Sequence, residues 1–523
     1  MSSARPLRGQ VRDLLGRGRR QTQRLVHPRA GGSSLGERVA VNSGWLIAER
    51  LLRMGVAFVI TVWVVRQLGP TNYGLLAYAL SIVAMIDVVA SMGFRIVLVR
   101  ELVETPEQEA DLVGTALAVK VVGSLLAAAV VIGFAWVGGA DATSLQIIAV
   151  LALGLPLGAF SVFDVSFQAT LQSQYAVAAR VAGLALASLL RIVFLLLDAP
   201  VLAFAAASAI ELATVGIAFA VLYGRLALPL RALQFHLGTA RRLVVMSWPF
   251  LASAMAAAVY LKIDQIMLQN MVGSREVGVY AAAARLSEMW YFIPIALSSS
   301  MFPMLVAQRM EDPRAYSRGL GDAFGIVLWI AIPLAVGTTI IATPLIGMLY
   351  GAEYARTDDI LRVHMWAAPF IFMNVMLGRA LILEGRRGVE LSRHVTGAVV
   401  NIALNLLLIP LFHGMGAAVA TLVSYAVASY FVCFAIPSLR PHGLLMSQAL
   451  GFPLRLWAQH TGTSGGAATL QPHPAPPLPA LHRGDVELSK SNQDTPVSGS
   501  RKGQPNSDRP ANRSADVDAA GEE

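Results

Sequence analysis

The sequence predicts an all-α integral membrane protein of about twelve transmembrane helices arranged as two six-helix lobes. Three observations predict it. The 523 residues are 55% hydrophobic and only 14% charged, against about 25% charged in an ordinary soluble domain, and the mean hydropathy is +0.60. Apolar runs of about 20 residues, the length that crosses a bilayer as a helix, recur along the chain. The later runs repeat features of the earlier ones.

The apolar runs fall at 44–66, 73–94, 113–137, 145–169, 175–197, 200–223, 247–271, 277–307, 322–349, 359–383, 391–411 and 415–437. Before them, residues 1–40 carry Arg5, Arg8, Arg12, Arg17, Arg19, Arg20, Arg24, Arg29 and Arg38 with no apolar stretch, which is not the pattern of a cleavable signal peptide. With that segment in the cytoplasm, the loops on its side hold Arg95 and Arg100, then Arg225, Arg231, Arg241 and Arg242, then Arg309, Arg314 and Arg318, then Arg386 and Arg387. The opposite loops hold only Arg66, Arg275, Arg356 and Arg362. This positive-inside alternation predicts an even number of spans, with both termini cytoplasmic. The formal charge of +9 would suit nucleic acid, but its distribution sets topology instead, so nucleic acid is not an expected partner.

The resulting plan is a basic cytoplasmic segment (1–40), an N-lobe (41–224), a cytoplasmic linker (225–246), a C-lobe (247–438) and a cytoplasmic, mostly disordered tail (439–523). The tail turns to Pro, Gly, Ser and mixed charge, as in "QPHPAPPLPA", too polar to bury a core. "ALGFPLRLW" (449–457) is too short to span and suits the membrane interface. No connection between spans is long enough for a soluble domain, and neither a GxxxxGK[ST] loop nor metal-ligand spacing is present. The lone Cys433 excludes an intrachain disulfide framework and a Cys-based metal site. These features predict a transporter and not an enzyme, with no resident cofactor.

The repeat is visible in the hairpins "QLGPTNYGLLAYA" and "NMVGSREVGVYAA", where Gly69 and Gly74 match Gly273 and Gly278. Pro156 matches Pro369, and Arg180 matches Arg393. Six helices used twice in the same orientation make parallel lobes about an axis along the membrane normal.

Charges inside the spans mark the candidate site, since each costs roughly 2.5–3.5 kcal/mol at the bilayer centre even on lenient scales. In "VYLKIDQIML", Lys262 and Asp264 point about 200° apart and cannot pair with each other. Their depths allow Asp264 with Arg285 and Lys262 with Glu288 across the hairpin, and Arg285 with Glu288 at i, i+3. The pairs either glue two spans together or line a wet cavity for substrate phosphate or a coupling ion. The first copy of the repeat has Ile60 and Ser81 where the second has Asp264 and Arg285, so these charges belong to one lobe. Arg180 and Arg191, eleven apart, share a helical face with Gly183 and Ala187 and suit an anionic head group. Arg180 has Asp164 within reach as an alternative partner, and Glu49 and Arg53 can neutralise each other at i, i+4. Arg50, Arg53, Lys120 and Arg379, near cytoplasmic span ends, are either snorkelling anchors or a vestibule for pyrophosphate. Asp264, Glu288, Glu211 and Asp87 are the candidates for coupling to H+ or Na+, since a carboxyl in low dielectric can load and release a proton. Asn401 and Asn405 read as helix packing, and His364 takes no assigned role.

Residues 40–438 also resemble a known family. "NSGWLIAERLLR" (42–53), "LGPTNYGLLAYALS" (68–81), "VRELVETP" (99–106), "LVGTALAVK" (112–120), "KIDQIML" (262–268), "VGVYAAAARLSEMWYFIP" (277–294), "LYGAEY" (349–354) and "NIALNLLLIP" (401–410), in this order, resemble the bacterial polysaccharide flippases of Wzx type. These belong to the multidrug, oligosaccharidyl-lipid and polysaccharide exporter superfamily. The resemblance implies a MATE-like two-lobed fold and export of undecaprenyl-pyrophosphate-linked oligosaccharide, with membrane lipid and other polysaccharide assembly proteins as partners. A peptidoglycan lipid-precursor flippase and a MATE-type drug exporter remain alternatives, and a polysaccharide polymerase or glycosyltransferase a remote one. The long basic N-terminus and the tail depart from the compact family chain.

Overall fold

The computed structural model describes residues 35–460. Most of the basic segment expected at 1–40, and the tail beyond residue 460, lie outside the described residues. Among those described, the secondary structure is helical and no strand is present. Ten helical runs are long and apolar enough to cross a membrane. Two of these contain a backbone break, at Gly69 (φ 67°) and His413 (φ 54°), and so each supplies two spans, which gives the twelve expected.

The first run, Leu35–Ala90, divides at Gly69 into α1 (35–68) and α2 (70–90). Glycine takes the positive φ without a Cβ clash, and Pro70, whose fixed φ suits a first helical turn, restarts the helix. There follow α3 (Phe94–Glu104), α4 (Glu109–Val137), α5 (Ala142–Gly158) continued by α6 (Val162–Ala169), α7 (Ser173–Leu196) and α8 (Val201–Leu226). The second half holds α9 (Leu237–Met271), α10 (Ser274–Glu288) continued by α11 (Phe292–Glu311), α12 (Pro313–Leu349), and α13 (Thr357–Met365) continued by α14 (Ala368–Leu383). The run Arg387–Ala426 divides at His413 into α15 (387–412) and α16, which extends from 414 through a π-turn to 435. Two short helices close the described chain, α17 (Arg440–Ala449) and α18 (Phe452–His460).

The internal repeat has a direct structural counterpart. A Cβ on Gly74 would collide with the Ser274 carbonyl, and a Cβ on Gly278 with the Pro70 carbonyl. Pro70 and Ser274 are themselves repeat-equivalent, so α2 and α10 meet through the same patch from each lobe, as in a two-fold contact. Two further bonds join the lobes: Tyr354 Oη donates to Val65 O at 2.9 Å, and Ser81 Oγ to Gln265 Oε1 at 2.7 Å. The lobes therefore meet at the end that carries Gly69 and Gly273.

Some boundaries differ from the sequence expectation: α12 starts at Pro313, nine residues before the expected 322, where Asp312 caps it by accepting from the N–H groups of Arg314 and Ala315. The seventh span starts ten residues early because the first turns of α9 are too polar for an apolar scan; Asp111 on α4 holds them through Thr239 Oγ1 at 2.7 Å and His236 Nδ1 at 2.6 Å, and Arg242 pairs with Glu101 at 3.2 Å. The start of the expected tail is also structured. Trp329 on α12 donates its indole N–H to the carbonyls of Ala449 and Leu450 at 3.1 and 3.2 Å. Below α17, the buried Glu384 accepts from His442 Nε2 at 2.9 Å and faces Arg386 (3.4 Å) and Arg309 (3.9 Å). Burial pushes its carboxyl up, but the hydrogen bond and charge of His442, with Arg386 and Arg309, outweigh it and hold the group below its usual 4.5.

Because that carboxyl is depressed in the folded state, its stabilisation is full above the unfolded value and is lost as pH falls through the folded one. Thermal unfolding in detergent should place Glu384→Gln below the native protein by about 3–5 kcal/mol at neutral pH, with the gap closing on acidification. Gly278→Ala should lower the melting temperature by several degrees, as expected for about 1–3 kcal/mol of overpacking. Gly347→Ala, in open space, should not.

Candidate functional site

The charges of the N-lobe form one alternating chain. Arg191 on α7 donates to Glu211 Oε2 on α8 at 3.0 Å and to Ser208 Oγ at 3.1 Å. The other oxygen of Glu211 lies 3.7 Å from Arg53 on α1, and Arg53 Nε donates to Glu49 at 2.8 Å one turn earlier. Glu49 in turn lies 3.5 Å from Arg180 on α7, whose second contact is Asp164 on α6 at 3.2 Å. Four helices thus contribute three guanidiniums and three carboxylates. The helical periods explain the convergence: Arg180 and Arg191 share a face, as do Glu49 with Arg53 and Ser208 with Glu211.

The chain is charge-balanced, whereas the sequence reading emphasised its basic members. Its guanidiniums remain partly accessible, with side chains 35% (Arg53), 19% (Arg180) and 21% (Arg191) exposed. Arg50 is exposed and makes no ion pair with a described residue. Lys120 donates to Ser161 Oγ at 2.9 Å and lines a cavity together with Asp87. Arg379 is half-buried, reaching Ser299 Oγ at 3.4 Å and lying over the Phe302 ring at 5.9 Å.

In the C-lobe one expected pair forms and the other does not. Lys262 Nζ meets Glu288 Oε2 at 3.5 Å. Asp264 does not pair with Arg285. Its carboxylate, 2% exposed, accepts from Tyr280 Oη on α10 at 2.7 Å, Asn405 Nδ2 on α15 at 2.6 Å and Thr421 Oγ1 on α16 at 2.6 Å. Tyr280 is the residue of α10 that faces Asp264, and Arg285, five positions on, points about 140° away to an exposed position without an ion pair to a described residue. The i, i+3 contact of Arg285 with Glu288 is likewise absent.

The network extends beyond the carboxylate. Asn405 Nδ2 also donates to Asn401 Oδ1 at 3.0 Å, and Asn401 Nδ2 to Ser424 Oγ at 3.3 Å. Asn401 and Asn405 therefore serve a carboxylate as well as helix packing. Asn405 Oδ1 is buried and without a hydrogen-bond donor. Close by, Ser287 Oγ contacts His364 Nδ1 at 2.6 Å, which gives His364 a structural place it lacked in the sequence. Tyr280 and Thr421 escaped the sequence reading altogether. The available signal was weak: Thr421 and Ser424 are an i, i+3 hydroxyl pair in an otherwise apolar span.

The repeat equivalence of Arg180 with Arg393 also holds in three dimensions. Each opens its span and bonds a polar residue of the span before it, Asp164 for Arg180 and Asn374 for Arg393. Arg393 is fully buried and further clamped by Glu390 at 2.6 Å. The two lobes share a scaffold and differ in accessibility, since only the N-lobe arginine can be reached.

Comparison with known proteins places these features. A family model described as "Polysaccharide biosynthesis protein" matches residues 39–308. The chain is 30% identical over 188 residues to a protein of Haloferax volcanii named "Probable flippase AglR". That alignment spans 34% of this chain and 38% of the relative's length. Among solved structures, it superposes on a lipid II flippase, MurJ, in an inward closed conformation with a TM-score of 0.61 at 13% identity, over 79% of this chain and 91% of that one. It also superposes on an inward-facing multidrug resistance MATE family transporter of the MOP superfamily with a TM-score of 0.60 at 14% identity, over 75% and 94% of the two chains. At these identities the two structures establish a common fold.

Proposed function

The chain belongs to the polysaccharide biosynthesis protein family, and on that footing we propose that it is a flippase moving undecaprenyl-pyrophosphate-linked oligosaccharide across the bacterial inner membrane by alternating access. The observation that carries this reading is the accessible Asp164–Arg180–Glu49–Arg53–Glu211–Arg191 chain. A guanidinium held by a carboxylate is a preformed site for another oxyanion, because a phosphate presents the same acceptor geometry to the same planar fork. An incoming pyrophosphate replaces Glu211 and Glu49 as the partner of Arg191 and Arg53, and the displaced carboxylates turn to water or take up protons. The polyprenyl tail stays in lipid while the polar head passes between the lobes.

Contacts join the lobes at the Gly69/Gly273 end, and α3 and α4 also hold α9 at the opposite end; in the proposed cycle the head group enters from that opposite, cytoplasmic end once it parts. Closing that end and opening the Gly74/Gly278 contact delivers it outside. Asp264 is the group best suited to bias the two states. Its carboxylate, Asn405 Oδ1, Asn401 Oδ1 and Thr421 Oγ1 offer hard oxygen donors fit for Na+, and the same carboxylate can take H+. An ion shifts the equilibrium only by its differential affinity for the two states, and here α9, α10, α15 and α16 all contribute, so a relative shift of these helices changes the site. Glu288, Glu211 and Asp87 are weaker candidates for ion coupling: the first two already have cationic partners, and Asp87 lines an open cavity. Lys262, Arg285, Arg50 and Arg379 serve as secondary contacts along the path.

Reconstitution in vesicles with labelled undecaprenyl-pyrophosphate oligosaccharide tests this. Arg191→Ala should slow transport about 10- to 100-fold, the equivalent of one charged hydrogen bond of about 1.5–3 kcal/mol. Asp264→Asn should abolish stimulation by imposed sodium or pH gradients. Undiminished transport in the first and retained stimulation in the second would remove these residues from the mechanism.

A further inference from the structure

Charge alone assigns Lys120 to an anion and Asp87 to a coupling ion, yet the two line a single cavity of about 200 Å³ between α2, α4, α5 and α8. The cavity is distinct from the guanidinium chain but adjoins it, because Leu212 and Val215 in its wall flank Glu211 on α8. Its polar lining is unusual for a membrane interior. Lys120 Nζ donates to Ser161 Oγ at 2.9 Å, and the Asp87 carboxylate makes neither an ion pair nor a hydrogen bond to a described residue. Ser91 and Ser124 donate to their own helices, to Val88 O at 2.8 Å and Val121 O at 2.9 Å, which leaves their oxygens free to accept. The ring of Phe219 and the side chain of Leu155 complete an apolar wall.

This combination selects by elimination. A phosphate would meet the Asp87 carboxylate, an organic cation would meet the Lys120 ammonium, and a hydrocarbon would bury both charges without partners. A neutral group bearing several hydroxyls on a ring with apolar C–H faces satisfies every element: carboxylate and serine oxygens accept its hydroxyl protons, the ammonium donates to its oxygens, and the wall covers its face. The volume is on the scale of a single pyranose ring and not of an oligosaccharide.

We propose that this side pocket binds one sugar of the glycan head and sets which glycans the protein accepts. The inference rests on the flippase reading above and assigns the part of the substrate that the guanidiniums do not hold. With the pyrophosphate on α1, α7 and α8, the sugar attached to it falls next to α8's neighbouring turn.

The test is binding of lipids to the purified full-length protein in nanodiscs. The probes are bare undecaprenyl pyrophosphate and a panel carrying one glucose, galactose, N-acetylglucosamine or 6-deoxyhexose. The native protein should bind at least one sugar-bearing probe about tenfold more tightly than the bare lipid. Asp87→Asn, which keeps the shape of the side chain, and Ser124→Leu, which narrows the cavity, should each bring that ratio close to one. Saturable binding of the bare lipid with no preference for any sugar, or a preference that survives both variants, overturns the pocket and leaves the flippase reading standing. Binding of none of the probes overturns both.

Discussion

Three arginines in an apolar lobe are held by three carboxylates threaded between them. An isolated charge there is prohibitive, and even a pair repays its desolvation only when geometry and additional hydrogen bonds are good. The alternation Asp164, Arg180, Glu49, Arg53, Glu211, Arg191 meets this condition with side chains from four helices. It therefore constrains the register of α1, α6, α7 and α8 at once. It also leaves the three guanidiniums partly accessible.

The C-lobe solves its charge problem differently. Asp264 is surrounded by neutral donors from α10, α15 and α16 and has no cation of its own within reach among the described residues. Hydrogen bonds to a charged acceptor are worth about 1.5–3 kcal/mol each, enough to hold a carboxylate and few enough to leave it responsive to a proton or a small cation. The asymmetry follows from the repeat: the scaffold is duplicated, as the Gly74/Gly278 contact shows, while the chemistry is not. One lobe carries exchangeable guanidiniums and the other a sequestered carboxylate.

Much of the fold was legible because bilayer thickness imposes a length and hydrogen bonding imposes a helix. The number of spans, their approximate limits and the glycine pairs of the repeat all follow from that. The early start of α9 and the helices α17 and α18 did not, since their polar turns are stabilised by tertiary partners such as Asp111 and Trp329 that an apolar scan does not see. In the site, contacts within a helix or across one hairpin were readable: Glu49 with Arg53, Lys262 with Glu288, and Arg180 with Asp164. The links Arg191–Glu211 and Arg53–Glu211 join spans whose rotation the sequence does not fix. The pairing of Asp264 with Arg285 failed for the same reason. Depth along a helix was readable, but azimuth was not, and Tyr280 rather than Arg285 occupies the facing position.

The central claim is that carboxylates hold the guanidiniums in place of a pyrophosphate and give way to it. The dissociation constant of undecaprenyl pyrophosphate for Glu211→Gln in nanodiscs addresses it most directly. If Glu211 competes with the ligand for Arg191 and Arg53, neutralising it should tighten binding several-fold over the native protein. Unchanged or weaker binding would mean that Glu211 positions the arginines without competing for them, and the exchange account would be wrong.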